Sequence, residues 1–111
     1  MFNALKVFFK TDEIKRSEDD QKRVSDECEK LKLYHMHNCP YCMRVRKAAK
    51  RLALNIEQRD INVNQEWEQE LVRHGGKRQV PCLKITGPDG KTQWLYESID
   101  IINYLTDRFR K

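Results

Sequence analysis

The chain lacks any apolar run approaching the roughly 20 residues needed to cross a bilayer. Phe2, Leu5, Val7, Phe8 and Phe9 form an apolar patch at its start, but Lys6 interrupts it and Lys10 ends it. No small-residue cleavage site follows, so the start does not read as a secretory signal. It reads as a terminal turn that packs on the domain or frays, with a weak membrane or partner contact through Phe2 to Phe9 as the alternative. Cysteine is also sparse. Four cysteines among 111 residues, 35% of them charged, do not make a secreted disulfide scaffold, and a reducing, cytoplasmic compartment is expected. There is no second Cys-x-x-Cys, which removes a zinc ribbon, and no metal is expected. A net charge of +5 could serve a nucleic acid, but the basic residues lack interleaved aromatics or a recognisable binding motif, so none is expected as a partner. The length allows one domain with one modest core, and therefore one site.

What is present is Cys39-Pro40-Tyr41-Cys42. Residues 31–36 read as a short apolar strand, Asn38 as a turn or cap, and residues 43–54 as a helix with apolar positions at Val45, Ala48, Ala49, Leu52 and Ala53. Pro40 suits a first helical turn, where its missing N–H has no intrahelical acceptor and its fixed φ already matches. The helix is therefore expected to begin at Cys39. Free amides and the positive dipole end favour a thiolate there, which makes Cys39 the expected attacking cysteine. Cys42, nearly one turn later on the same face, would resolve a mixed disulfide. Half of a zinc site and two structural thiols are the competing readings, and a strand followed by a helix favours redox chemistry over both.

Residues 11–30 carry only Ile14, Val24 and Cys28 as apolar side chains and read as a solvated helix or mobile extension. The boundary falls near Lys30, giving an extension at 1–30 and a domain at 31–111. Residues 56–61 read as a second strand, opened by Ile56 and closed by Ile61. Asn64 can cap a helix running to about His74, stopped by Gly75-Gly76. Residues 80–86 form a third strand, Pro88-Asp89-Gly90 a tight turn, and residues 91–96 its hairpin partner. Ser98 is expected to cap a last helix that buries Ile99, Ile102, Tyr104 or Leu105, and Phe109, with Asp100, Asp107, Arg108 and Arg110 outside. The order βαβαββα, with a Cys-x-x-Cys at the first strand-to-helix junction, points to an α/β sandwich of the thioredoxin-like fold.

Leu33-Tyr34, Cys39-Pro40-Tyr41-Cys42, Gln79-Val80-Pro81 before a strand and Tyr96-Glu97-Ser98 before a helix together resemble glutaredoxins over about residues 31–109. Glu97-Ser98 followed by Ile101-Ile102 and Tyr104-Leu105 is similar to the ending of bacterial glutaredoxins whose domain is like that of glutathione S-transferase N-terminal domains. The resemblance implies a cis Val80-Pro81 bond exposing the Val80 backbone to the cysteinyl part of glutathione. A trans proline at a strand start is the plainer alternative. It also implies that Tyr41 lines the glutathione site and that Glu97 and Ser98 hold the γ-glutamyl end, beside their plainer role at the start of the last helix. Met36 departs from the pattern, because many glutaredoxins carry Lys or Arg there. Lys77 or Arg78 could replace that charge, or simply be solvated. Arg44, Arg46, Lys47, Lys50 and Arg51 could steer anionic glutathione or form a solvated face.

The resemblance implies a glutathione-dependent thiol-disulfide oxidoreductase that reduces protein disulfides or glutathionylated proteins. Its expected potential is roughly −200 to −230 mV. A binding module holding a [2Fe-2S] cluster through Cys39 and glutathione is the alternative, which Pro40 disfavours within the family. Transferase activity is not expected, because the chain stops near the end of the first domain of a glutathione transferase. His35 and His37 alternate and share a strand face, which invites a metal reading with the thiols. The preferred reading has one of them at the sheet edge and His37 perturbing the thiolate. Cys28 and Cys82 are expected to be inert.

Overall fold

The computed structural model describes residues 14–110, so the apolar patch from Phe2 to Phe9 lies outside the described residues. Ser17 starts the first helix, α1 (Glu18–Cys28), by accepting the Asp20 amide at 3.1 Å. Glu18, Asp19 and Asp20 occupy its first turn, where negative charge suits the helix dipole. The remaining elements are β1 (Leu31–His35), α2 (Pro40–Arg51), β2 (Glu57–Asp60), α3 (Gln65–Glu70), β3 (Cys82–Thr86), β4 (Thr92–Tyr96) and α4 (Ser98–Phe109). After α1 they follow the expected βαβαββα order.

The four strands form one mixed sheet in the order β2-β1-β3-β4. β1 and β2 are parallel, joined through α2, while β1 with β3 and β3 with β4 are antiparallel. Strand alternation divides the core between the two sheet faces. Leu31, Leu33, Leu83 and Ile85 join Val45 and Ala49 of α2 and Ile101, Leu105 and Phe109 of α4 in one cluster. Tyr34 and Cys82 share the second cluster with Ile61 and Leu71. The thioredoxin-like α/β architecture is thus present, with α2 and α4 packed against each other on one face.

The polar segment before the domain is helical, but it does not hang free. Val24 and Cys28, one helical turn apart, are buried in the cluster that contains Leu31 and Leu33. Arg16 donates to Leu52 O at 2.8 Å and to Phe109 O, so one guanidinium binds carbonyls at the C-terminal ends of both α2 and α4. Gln21 adds a bond to Ala53 O at 3.1 Å.

Several local expectations are corrected. β3 begins at Cys82 rather than Val80, because Pro81 has no N–H to give to the ladder; the Val80-Pro81 bond is cis. α2 ends at Arg51, and Ala53 turns out of it with φ +55°. α3 passes at Leu71–Gly75 into a wider helical turn that ends on Gly76 at φ +96°, where glycine carries no Cβ penalty. Gly75 lies so close to the next layer that a Cβ there would meet Tyr96 Oη at 2.5 Å. In α4 the buried stripe is Ile101, Leu105 and Phe109, whereas Ile99 is 66% exposed. The helix starts at Ser98 itself, with Glu97 in the capping position; Ile99, Ile101 and Ile102 share its first turns, and packing against the sheet takes Ile101 inward and leaves Ile99 pointing away. His35 lies on β1, an interior strand rather than a sheet edge, and His37 lies beyond the strand. Among the described residues no helix is long and apolar enough to cross a membrane.

Candidate active site

Cys39 is the capping residue of α2, in extended backbone at φ −80° and ψ 121°, and Pro40 is the first helical residue. The geometry brings the two thiols together. The Cys42 amide donates to Cys39 Sγ at 3.3 Å, and both cysteines are free thiols. Their surroundings differ sharply. Cys39 is partly exposed, while Cys42 has no accessible surface. Burial, and next the hydrogen bond to Cys39, pushes the Cys42 thiol up to about 12. Cys42 therefore holds its proton at neutral pH, and Cys39 is the sulfur an incoming disulfide can reach.

The loop that delivers Cys39 is tied from two sides. Arg46 of α2 donates to His37 O at 2.8 Å and Met36 O at 3.3 Å, and it also meets His35 Nδ1 at 2.8 Å. A guanidinium can only donate, so Nδ1 accepts and a neutral His35 carries its proton on Nε2. Burial first, then the Arg46 charge, holds the His35 pKa below the ordinary value. From β2, the Asp60 carboxylate accepts the His37 amide at 3.2 Å. The Cys39 amide in turn donates to Met36 O at 3.2 Å.

Beside the first turn of α2 opens a groove of about 430 Å³ lined by Tyr41, Arg44, Gln79, Val80, Pro81, Glu97, Ser98 and Ile99. All five residues named from the sequence as glutathione contacts, namely Tyr41, Val80, Pro81, Glu97 and Ser98, line this one groove. Cys39 and Cys42 are not in its lining. Gln79 Nε2 donates to Glu97 Oε2 at 3.4 Å, which joins the segment before β3 to the start of α4. Glu97 holds φ +75° and ψ 120°, a region that costs a non-glycine residue energy, and its side chain makes no cap bond. The first amides of α4 lack intrahelical acceptors and carry the positive end of its dipole at this wall.

Three lining residues were not singled out as site residues by sequence reasoning. Arg44, whose guanidinium lies 5.5 Å from the centre of the Tyr41 ring, was legible only as one of five cations on a helix. Its spacing of three residues from Tyr41 was the available signal. From the sequence Gln79 reads only as part of a motif, and Ile99 as a core residue of the last helix. Lys77 and Arg78 do not line the groove: Lys77 lies 5.2 Å from the Tyr96 ring centre and Arg78 pairs with Glu68. Cys82 is fully buried, and burial pushes its thiol up to about 12. Cys28, also buried, is raised by burial as well. Among the described residues no group of three or more His, Cys, Asp or Glu side chains could hold a metal ion.

Residues 33–111 match the family described as the N-terminal domain of glutathione S-transferase. No curated protein matches the chain. Among solved structures, maleylacetoacetate isomerase from Anaeromyxobacter dehalogenans is similar at 30% identity with a TM-score of 0.55, over 73% of this chain and 36% of that one. A structure of that isomerase with glutathione bound in its active site is similar at 28% identity with a TM-score of 0.56, over 73% and 38% of the two chains. Glutathione transferase Omega 2C from Trametes versicolor is similar at 25% identity with a TM-score of 0.57, over 73% and 38%. The chain thus spans little more than a third of the length of these structures.

Proposed function

The chain belongs to the glutathione S-transferase N-terminal domain family, and from that premise we propose that it is a glutathione-dependent thiol-disulfide oxidoreductase of the glutaredoxin type. The observation that carries the reading is the unequal thiol pair, one sulfur reachable and the other buried and protonated, at a helix start beside the groove. The groove suits glutathione chemically. Glutathione is elongated and carries two carboxylates, an ammonium and two peptide bonds. The lining offers Arg44 and the α4 N-terminus for negative charge, Glu97 for the ammonium, and the Val80 backbone for a peptide group.

In the proposed reaction Cys39 Sγ, as thiolate, attacks one sulfur of a substrate disulfide. The S–S bond breaks, a mixed disulfide forms on Cys39, and the departing thiolate takes a proton from water. Part of what holds the Cys42 proton is the neighbouring Cys39 sulfur. Once Cys39 is bound in a disulfide that contribution falls, so Cys42 deprotonates more readily and can attack Cys39. The remaining partner leaves as a thiol. Two electrons have then passed from the dithiol to the substrate. Two glutathione molecules restore the dithiol and leave as glutathione disulfide. A mixed disulfide with glutathione can instead be resolved by a second glutathione without Cys42.

The test is turnover of a glutathionylated peptide, coupled through glutathione reductase, by wild type, Cys39→Ser and Cys42→Ser. The expected result is an inactive Cys39→Ser and an active Cys42→Ser. Activity retained by Cys39→Ser, or an inactive wild type, would defeat the reading.

A further inference from the structure

We infer that the exposed face of α2 is the docking surface for an acidic polypeptide that brings its disulfide to Cys39. The inference rests on the oxidoreductase reading and adds the class of its macromolecular substrate. α2 contains Arg44, Arg46, Lys47, Lys50 and Arg51 and no acidic residue. Arg46 is held by the loop before Cys39, but Arg44, Lys47, Lys50 and Arg51 have no carboxylate in ion-pair contact among the described residues. The ion pairs there lie elsewhere, on α1, β1, β2, α3, β3 and α4 and the segment before β3. A solvated helix face of ordinary kind carries both signs, as α1 does with Lys22 and Asp26.

The face is also concave and partly apolar. A groove of about 420 Å³ runs along it, lined by Pro40, Met43, Arg44, Arg46, Lys47 and Lys50. It starts at the residue after Cys39. Among the described residues, three of the five large apolar side chains that stand in solvent cluster at this end of the molecule: Tyr41 at 57% exposed and Met43 at 50% on α2, and Ile99 at 66% on α4. An apolar rim around a nucleophile with unpaired cations beside it suits a polypeptide that carries both an apolar side chain and carboxylates. A nucleic acid would satisfy the cations, but it brings no disulfide to the sulfur at which the groove begins.

Helix rise sets the spacing. Arg44, Lys47 and Lys50 lie roughly 8, 12 and 16 Å along the axis from Cys39, and an extended peptide advances about 3.3 Å per residue. The complementary acidic residues therefore fall about two to five positions from the reacting cysteine.

Binding is measured by fluorescence anisotropy with short peptides in which serine replaces the reacting cysteine, acidic, neutral or basic at those positions. The expected result is preference for the acidic peptide, weakened by about three- to tenfold in Lys47→Glu and again in Lys50→Glu. Lys91→Glu, at the opposite end of the sheet, should leave binding unchanged. Equal binding of the acidic and neutral peptides, an equal loss in Lys91→Glu, or tighter binding of a single-stranded oligonucleotide would overturn the inference. Turnover of hydroxyethyl disulfide with glutathione by the same proteins reports on the oxidoreductase reading by itself, since that small neutral substrate brings no carboxylates to the face and Lys47 and Lys50 do not line the groove proposed for glutathione. Its absence would count against the reaction, while the peptide series would still decide the docking surface.

Discussion

His35 is buried on an interior strand against the guanidinium of Arg46, and its pKa is lowered, by burial first and the Arg46 charge second. An unfolded histidine titrates near ~6.5. Below that pH the unfolded chain takes up a proton that the folded chain resists, so stability is lost as pH falls from about 6.5 toward the lowered folded value. Urea unfolding at pH 7.5 and 5.5 should therefore show a stability loss in wild type that is clearly smaller in His35→Gln. An equal loss in the variant would remove His35 as the cause. The sequence placed His35 on a strand but could not show which face was covered, because a five-residue strand reveals its two faces only once its neighbours are known. Cys39 and Cys42 were different: proline after the first thiol and a helix behind it fix the local geometry without help from the rest of the chain. Ile99 is misassigned by the sequence because Ile99, Ile101 and Ile102 crowd one turn of α4 and allow more than one apolar stripe, and only packing against the sheet selects the one through Ile101, Leu105 and Phe109, leaving Ile99 to wall the groove.

The chain before β1 contributes at the level of elements. Arg16 reaches carbonyl groups at the ends of α2 and α4, which expose the negative ends of their dipoles there. Those two helices position opposite walls of the groove, so a residue far from Cys39 in space and sequence helps set their relation. Arg16→Ala should lower stability by about 2 kcal/mol, the order expected for losing charge-assisted bonds to backbone carbonyls. Chemical denaturation followed by circular dichroism would measure it, and an unchanged midpoint would show that water replaces the guanidinium without cost. This docking was hidden in the sequence. Residues 11–30 read as polar because their few apolar side chains, Val24 and Cys28 among them, are outnumbered, yet two positions one helical turn apart are enough to join a core. The hairpin, the Asn64 cap and the element order were legible because each has a local chemical signature. The start of β3 was not, since losing one ladder donor at Pro81 shortens a strand without altering its apolar pattern.

For the whole molecule, the net charge of +5 is less informative than its placement. Ion pairs take up Lys32, Arg59 and Lys84 on the sheet face that carries Tyr34, away from α2, whereas the cations of α2 without an ion pair among the described residues begin beside the reachable thiol. Chain, fold and charge converge on Cys39, the only one of the four cysteines that is not buried. That convergence makes the central claim accessible to one measurement: intact and peptide mass spectrometry of reduced Cys42→Ser after brief exposure to glutathione disulfide at neutral pH. The account predicts a single added glutathionyl group, located on Cys39 and removed by excess glutathione. No adduct, or an adduct on Cys28 or Cys82 with Cys39 unmodified, would contradict it.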